Sequence, residues 1–166
     1  QTYAQAEGRQ DVADHKDLYQ RTAKMITSPN MEVFDLDREN TKTREAYGNS
    51  GFGSGCLLAR RLIESGVTFV EVAINGWDTH QDNFANHREM CGSVDGPYAQ
   101  LLRDLKQRDL LDTTLVIWMG EFGRTPRING RGGRDHYPKA FNVALAGGGV
   151  YGGQVIGSTN VAGANV

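Results

Sequence analysis

The strongest constraint on the fold is the run at residues 115–119, Leu-Val-Ile-Trp-Met, which follows Asp112-Thr-Thr and stops at Gly120. Five successive apolar side chains bounded by turn formers read as a strand buried on both faces, the kind found in helix-covered parallel sheets. The preceding sequence supports that reading. Cys56, Leu57, Leu58, Leu62 and Ile63 give a helical apolar face, and Gly66 stands where a helix C-cap belongs. Residues 67–74 (VTFVEVAI) are β-branched and aromatic, a second strand. Ser93, Asp95 and Pro97 then look like a helix start, with Tyr98, Leu101, Leu102 and Leu105 at i, i+3, i+4 and i+7. A third strand, residues 141–146, ends in Gly147-Gly148-Gly149. Helix, strand, helix, strand with short joints predicts an α/β fold, a mainly parallel sheet with covering helices. The joint at residues 120–138 holds seven Gly or Pro in nineteen positions and has no helical period. A parallel crossover normally contains a helix, so the third strand is expected to return antiparallel.

The 166 residues suffice for one domain with a core. A composition of 39% hydrophobic and 23% charged residues is near the globular average and argues against disordered and fibrous classes. No apolar run approaches the ~18 residues of a membrane helix. Lys+Arg 18 against Asp+Glu 20 leaves no basic footprint for nucleic acid. Cys56 and Cys91 are too few for a disulfide framework and match no zinc spacing. Residues 1–50 read as a polar extension with a short amphipathic helix at 14–26, stopped by Ser28-Pro29-Asn30. Residues 51–166 read as a partial α/β domain. The start at Gln1 and the small-residue tail at 157–166 lead us to expect a fragment of a larger chain, with other segments or subunits as partners.

Three polar clusters flank the expected strand ends. In Gly76-Trp-Asp78-Thr-His80-Gln-Asp82, the alternation puts Asp78, His80 and Asp82 on one side of an extended chain. Gly120-Glu121-Phe122-Gly123-Arg124 follows the apolar strand, and Gly133-Arg134-Asp135-His136-Tyr137-Pro138 precedes the last one. Carboxylates and imidazoles meeting at one sheet edge suit zinc, manganese or iron, and calcium less well. Each cluster also has a plain structural reading: Glu121 can cap a turn, and Asp135 with His136 can be a local hydrogen-bonded pair. The coincidence of all three at strand ends favours a shared site. Arg124, Arg127, Arg131 and Arg134 fall within eleven residues of a glycine-rich loop, a setting suited to an oxyanion, with Arg124 and Arg134 nearest the candidate ligands. His15 and His87 fall on helix surfaces, His87 being a reserve ligand. No Gly-x-Ser-x-Gly elbow or Walker loop occurs, and no helix opens after the triple glycine as a dinucleotide fingerprint requires.

The runs LLARRLIESGVTFVEV, GWDTH, LLDTTLVIWMGEFGRTP, GRDHYP and ALAGGGVYGGQVIGSTN, spanning about residues 47–160, closely resemble the bacterial family catalogued as domain of unknown function 1501. That family is similar to the alkaline phosphatase and sulfatase superfamily, which cleaves phosphate and sulfate esters with metals at the C-terminal edge of an α/β sheet. The resemblance implies that Asp78 with His80 or Asp82 stands for the aspartate–histidine ligands. It places Glu121 where the superfamily has an aspartate after the apolar strand, and His136 at the late histidine ligand. Phe122 stands where a coordinating histidine or asparagine would be, the sulfatase Cys-x-Pro-x-Arg is absent, and the superfamily's nucleophile belongs to an early strand not found here. An exported origin is also implied by the resemblance. The expectation is therefore a metal-dependent hydrolase of phosphate or sulfate esters, zinc first, of which this chain carries the metal-ligand half. The alternative is a non-catalytic binding or assembly module that retains the fold.

Overall fold

The structure, a computed structural model, describes residues 10–165. Helix α1 (Gln10–Ile26) begins four residues before the expected helix at 14–26 and buries none of its residues, leaving Leu18, Tyr19, Met25 and Ile26 exposed. Two 3-10 turns (Pro29–Phe34 and Leu36–Arg38) lead to α2 (Thr41–Tyr47) and α3 (Gly51–Glu64). Asn40 and Ser50 cap these helices, accepting from Thr43 N–H at 2.9 Å and Gly53 N–H at 3.0 Å, which satisfies donors the helices leave unpaired. Gly66 ends α3 with φ 90°, a left-handed value that favours glycine, and its N–H bonds Ile63 C=O at 3.0 Å. Helix α4 (Asn83–Gln107) crosses α2 and α3, and Tyr47, Phe52, Cys56, Leu57, Val94, Leu101 and Leu105 fill the core between them.

Charged groups are buried within this helical half. The Tyr47 hydroxyl donates to Asp104 Oδ2 at 2.9 Å. Arg60, 2% exposed, pairs with Glu39 at 2.9 Å, Glu64 at 2.5 Å and Asp104 at 3.7 Å. Burial opposes ionisation of Glu39, but hydrogen bonds from Arg60 and Arg61 outweigh it and hold the carboxyl below its ordinary value. Burial alone pushes the Cys56 thiol up to about 11, so this cysteine is a packing group rather than a nucleophile.

The expected parallel sheet is not what forms. Among the described residues there are two small antiparallel sheets, β1 (Leu115–Trp118) with β4 (Ala144–Gly147) and β2 (Gly123–Arg124) with β3 (His136–Tyr137). Residues 67–74 carry no strand; Val72 and Ile74 pack onto the helical core instead. Alternating apolar residues secure that packing without any ladder, which is why the pattern alone was a poor guide to pairing. The last strand does return antiparallel, with Leu115 opposite Gly147 and Trp118 opposite Ala144. Strand β1 is not buried on both faces: Val116 and Trp118 pack on the core, whereas Leu115 and Ile117 are 47% and 51% exposed. Helix α4 starts ten residues before the expected Ser93, and Pro97 lies buried in its interior. The helix does not depend on an apolar first turn, because its N-terminal residues are tied to the glycine-rich loop, Asn83 N–H bonding Gly132 C=O at 3.0 Å. No helix of the described residues is long and apolar enough to cross a membrane.

Candidate metal centre

Two loops build the site, residues 75–82 before α4 and residues 120–138 after β1. The first is anchored by Trp77, which packs edge-on against Trp118 (6.0 Å between ring centroids) and His87 (5.5 Å). Thr79 is 3% exposed, and its hydroxyl bonds Asn83 Oδ1 at 2.9 Å. Between these two anchors the chain turns Asp78 outward. Arg134 N–H bonds Thr79 C=O at 3.0 Å, and Gln81 bridges Gly132, so the second loop is stitched to the first through backbone. The approach is so close at Gly133 that a Cβ there would lie 2.0 Å from the His80 carbonyl carbon. Only glycine allows it. The short β2–β3 ladder, Arg124 opposite His136, then sets both side chains beside the first loop.

The outcome is a triangle of donor atoms. His80 Nε2 lies 3.2 Å from His136 Nε2 and 3.1 Å from Asp78 Oδ1, and His136 Nε2 lies 2.9 Å from the same oxygen. Adjacent ligands of an ion bonded at about 2.0–2.1 Å stand about 3.0 Å apart in octahedral and about 3.3 Å apart in tetrahedral geometry, so this triangle has the size of one coordination face. His80 Nδ1 faces Asp135 Oδ1 at 2.8 Å, and Asn129 Nδ2 donates to that oxygen at 3.1 Å. The hydrogen bond from His80 holds the Asp135 carboxyl below its ordinary value, Asn129 adding to it, so an ionised carboxylate accepts the Nδ1 proton. That arrangement leaves Nε2 facing the triangle and is the carboxylate–histidine support common behind metal-binding imidazoles.

With the His80 proton on Nδ1, its Nε2 can only accept, and the single proton of His136 Nε2 is shared between that nitrogen and Asp78 Oδ1. A cation at their common point would satisfy all three once that proton had left. Asp78, His80 and His136 thus form a group that could hold a metal. Arg124 offers a competing positive charge, its Nη1 donating to Asp78 Oδ1 at 2.7 Å. Hydrogen bonds from His136 and then Arg124 lower the Asp78 pKa to about 2, so the carboxylate is ionised at any ordinary pH.

The other candidate residues lie differently. Asp135 stands behind His80, with no place in the triangle. Asp82 opens α4 with a left-handed φ of 48°, and Glu121 is exposed in the second loop; neither joins the metal-ligating group among the described residues. Arg134 turns its Nη1 to the carbonyls of Thr125 (2.6 Å) and Pro126 (2.7 Å), bracing the loop. His87 Nδ1 faces Asn83 C=O at 3.0 Å, away from the triangle's members. His15 packs against Tyr19 on α1. Asn129 is the residue the sequence reading missed: besides Asp135, its amide binds His80 C=O at 3.0 Å, and its Oδ1 accepts from Gly133 N–H at 3.0 Å. An asparagine directly before Gly130, in a glycine-rich loop between two ligand motifs, was the available signal.

Phe122 packs its ring 4.4 Å from that of His136 and lies 5.7 Å below the Arg124 guanidinium, supporting both without offering a ligand atom. Next to the triangle opens a cavity of about 410 Å³ lined by Phe122, Arg124, Pro126, Phe141, Asn142 and Thr159 among others.

No curated protein and no solved structure matches the chain. The full length, residues 1–166, matches the family described as protein of unknown function (DUF1501), and the chain belongs to that family.

Proposed function

We propose that this chain binds one divalent metal ion, zinc first, through Asp78, His80 and His136, and that it hydrolyses phosphate or sulfate esters. The observation that supports this most is the donor triangle backed by Asp135. Two imidazoles and one carboxylate are a donor set of hydrolytic zinc sites, and in tetrahedral geometry they leave one position open. Iron and manganese accept similar sets. With Glu121 and Asp82 outside the triangle and Phe122 apolar, the proposed centre holds a single ion.

The similarity to the alkaline phosphatase and sulfatase superfamily is what suggests the substrate class. A bound divalent ion supplies Lewis acidity, acidifying water and offsetting charge on the ester oxygens. The protein's own groups do the rest. Asp135, itself held by Asn129, keeps the proton on His80 Nδ1 and fixes the ring. Arg124 presents a guanidinium able to grip two oxygens of a tetrahedral anion at once. Phe122 offers that guanidinium an apolar face beneath it. Arg134 braces the loop that carries Asp135 and His136.

A second reading has its own support. The outer face of the β1–β4 sheet exposes Leu115, Ile117 and Leu145, with Val143 exposed just before β4, which suits a non-catalytic module held within a larger assembly. One experiment separates the two. Protein stripped with a chelator is reloaded with one equivalent of zinc, manganese or iron(II) and assayed on p-nitrophenyl phosphate and p-nitrophenyl sulfate. The hydrolase reading expects turnover that returns with the metal and is absent in His136→Ala. Stoichiometric metal binding with no turnover above that variant supports the assembly reading instead.

A further inference from the structure

Arg124 belongs to two environments at once. Its Nη1 donates to Asp78 Oδ1, the oxygen that both imidazoles face, yet the same side chain lines the neighbouring cavity. That bond uses one of five guanidinium N–H groups. Among the described residues the cavity lining includes no side-chain carboxylate; besides Arg124 it offers the Thr159 hydroxyl and the Asn142 amide, which can donate to an anion. Phe122 gives the guanidinium an apolar face on which to turn.

We propose that Arg124 is a latch shared by the two sites, so that a tetrahedral oxyanion in the cavity and a divalent cation at Asp78, His80 and His136 bind with positive cooperativity. This rests on the metal reading above. With both ligands absent, the guanidinium neutralises Asp78 and stands in for the cation. A divalent ion must displace it, which weakens cation binding. An oxyanion in the cavity draws Arg124 away from Asp78 and removes that competition. The displaced guanidinium, in turn, is free to grip the anion. Coupling of this kind is necessarily reciprocal.

The test is zinc affinity, measured by competition with a chromophoric chelator at fixed ionic strength, with and without saturating inorganic sulfate. Wild-type protein is expected to bind zinc at least about fivefold more tightly with sulfate, and sulfate by the same factor more tightly with zinc. Arg124→Gln should bind zinc more tightly than wild type in the absence of sulfate and show no sulfate effect. Arg124→Lys, whose compact ammonium grips a carboxylate and an anion less well, should retain a smaller coupling; this variant decides the matter if the glutamine variant fails to fold. Zinc binding indifferent to sulfate in the wild type overturns the latch. A sulfate effect equally large in Arg124→Gln also overturns it, since the anion would then act directly on the metal. Absence of stoichiometric zinc binding contradicts the metal reading itself, a different result from either.

Discussion

In the helical half, Arg60 and Asp104 are almost wholly buried, and each faces partners from other elements, so that the charges tie α2, α3, α4 and the Glu39 turn together. In the loop half, Asp78 has a side chain 65% exposed, and the nitrogens around it face the same oxygen rather than completing one another. The contrast separates two uses of charge. A buried network must be satisfied from within, because water cannot help it. An exposed convergence of donors and acceptors costs the fold little and leaves its atoms within reach of a ligand from outside. Stability and function should therefore respond to different residues.

The largest effect is expected in the buried network. Asp104→Ala removes the partner of Tyr47 and one of those of Arg60, and should lower stability by about 3–5 kcal/mol in urea unfolding. A loss under about 1 kcal/mol would mean that the network is not what joins the helices. His136→Ala should do the reverse, weakening zinc binding by more than about 100-fold, the upper end for partners one step removed from a metal. Its melting temperature should stay within about 2 °C of wild type, because the side chain is an exposed one. A large fall in melting temperature would show that the two halves are not separable.

Intermediate effects test how the loops are held. Gly133→Ala drives a methyl into the His80 backbone and should weaken zinc binding by about tenfold or more with the helical circular dichroism unchanged. Asp135→Asn should cost about ten- to hundredfold in zinc affinity through the His80 ring. Glu121→Gln should change it less than about twofold; a greater change would bring Glu121 into the coordination sphere.

The smallest contrast is in pH. Glu39 is held below its unfolded value of about 4.3, so its stabilisation is complete above that pH and is lost as the pH falls through the folded value. Burial and then Asp104 raise Tyr47, so its contribution is complete below about pH 10, the unfolded value, and is lost as pH rises through the higher folded one. Urea midpoints should form a plateau between these limits. Glu39→Gln should flatten the acid limb, and Tyr47→Phe the alkaline one; a limb unchanged in its variant would show that the group is not responsible.

Local features were readable in the sequence. The apolar face of α3 and its glycine terminus depend only on neighbours along the chain, as does the placement of Asp78, His80 and His136 in glycine-flanked loops. The sheet was not readable, because residues 67–74 specify an extended, half-buried backbone while the choice of a ladder partner is made by distant segments. The polar first turns of α4 escaped notice because their support comes from Gly132, some fifty residues away. Nor could spacing alone tell a candidate ligand from the group behind it: Asp135 and His136 are adjacent, and only the fold turns one to the triangle and the other to the far side of His80.

X-ray absorption at the zinc edge of protein loaded with one equivalent reads out whether Asp78, His80 and His136 meet around one ion. The expected spectrum is a nitrogen and oxygen coordination sphere at about 2.0 Å with the multiple-scattering signature of two imidazoles, falling to one in His136→Ala. Sulfur ligation, or a sphere of water oxygens without imidazole, would contradict it.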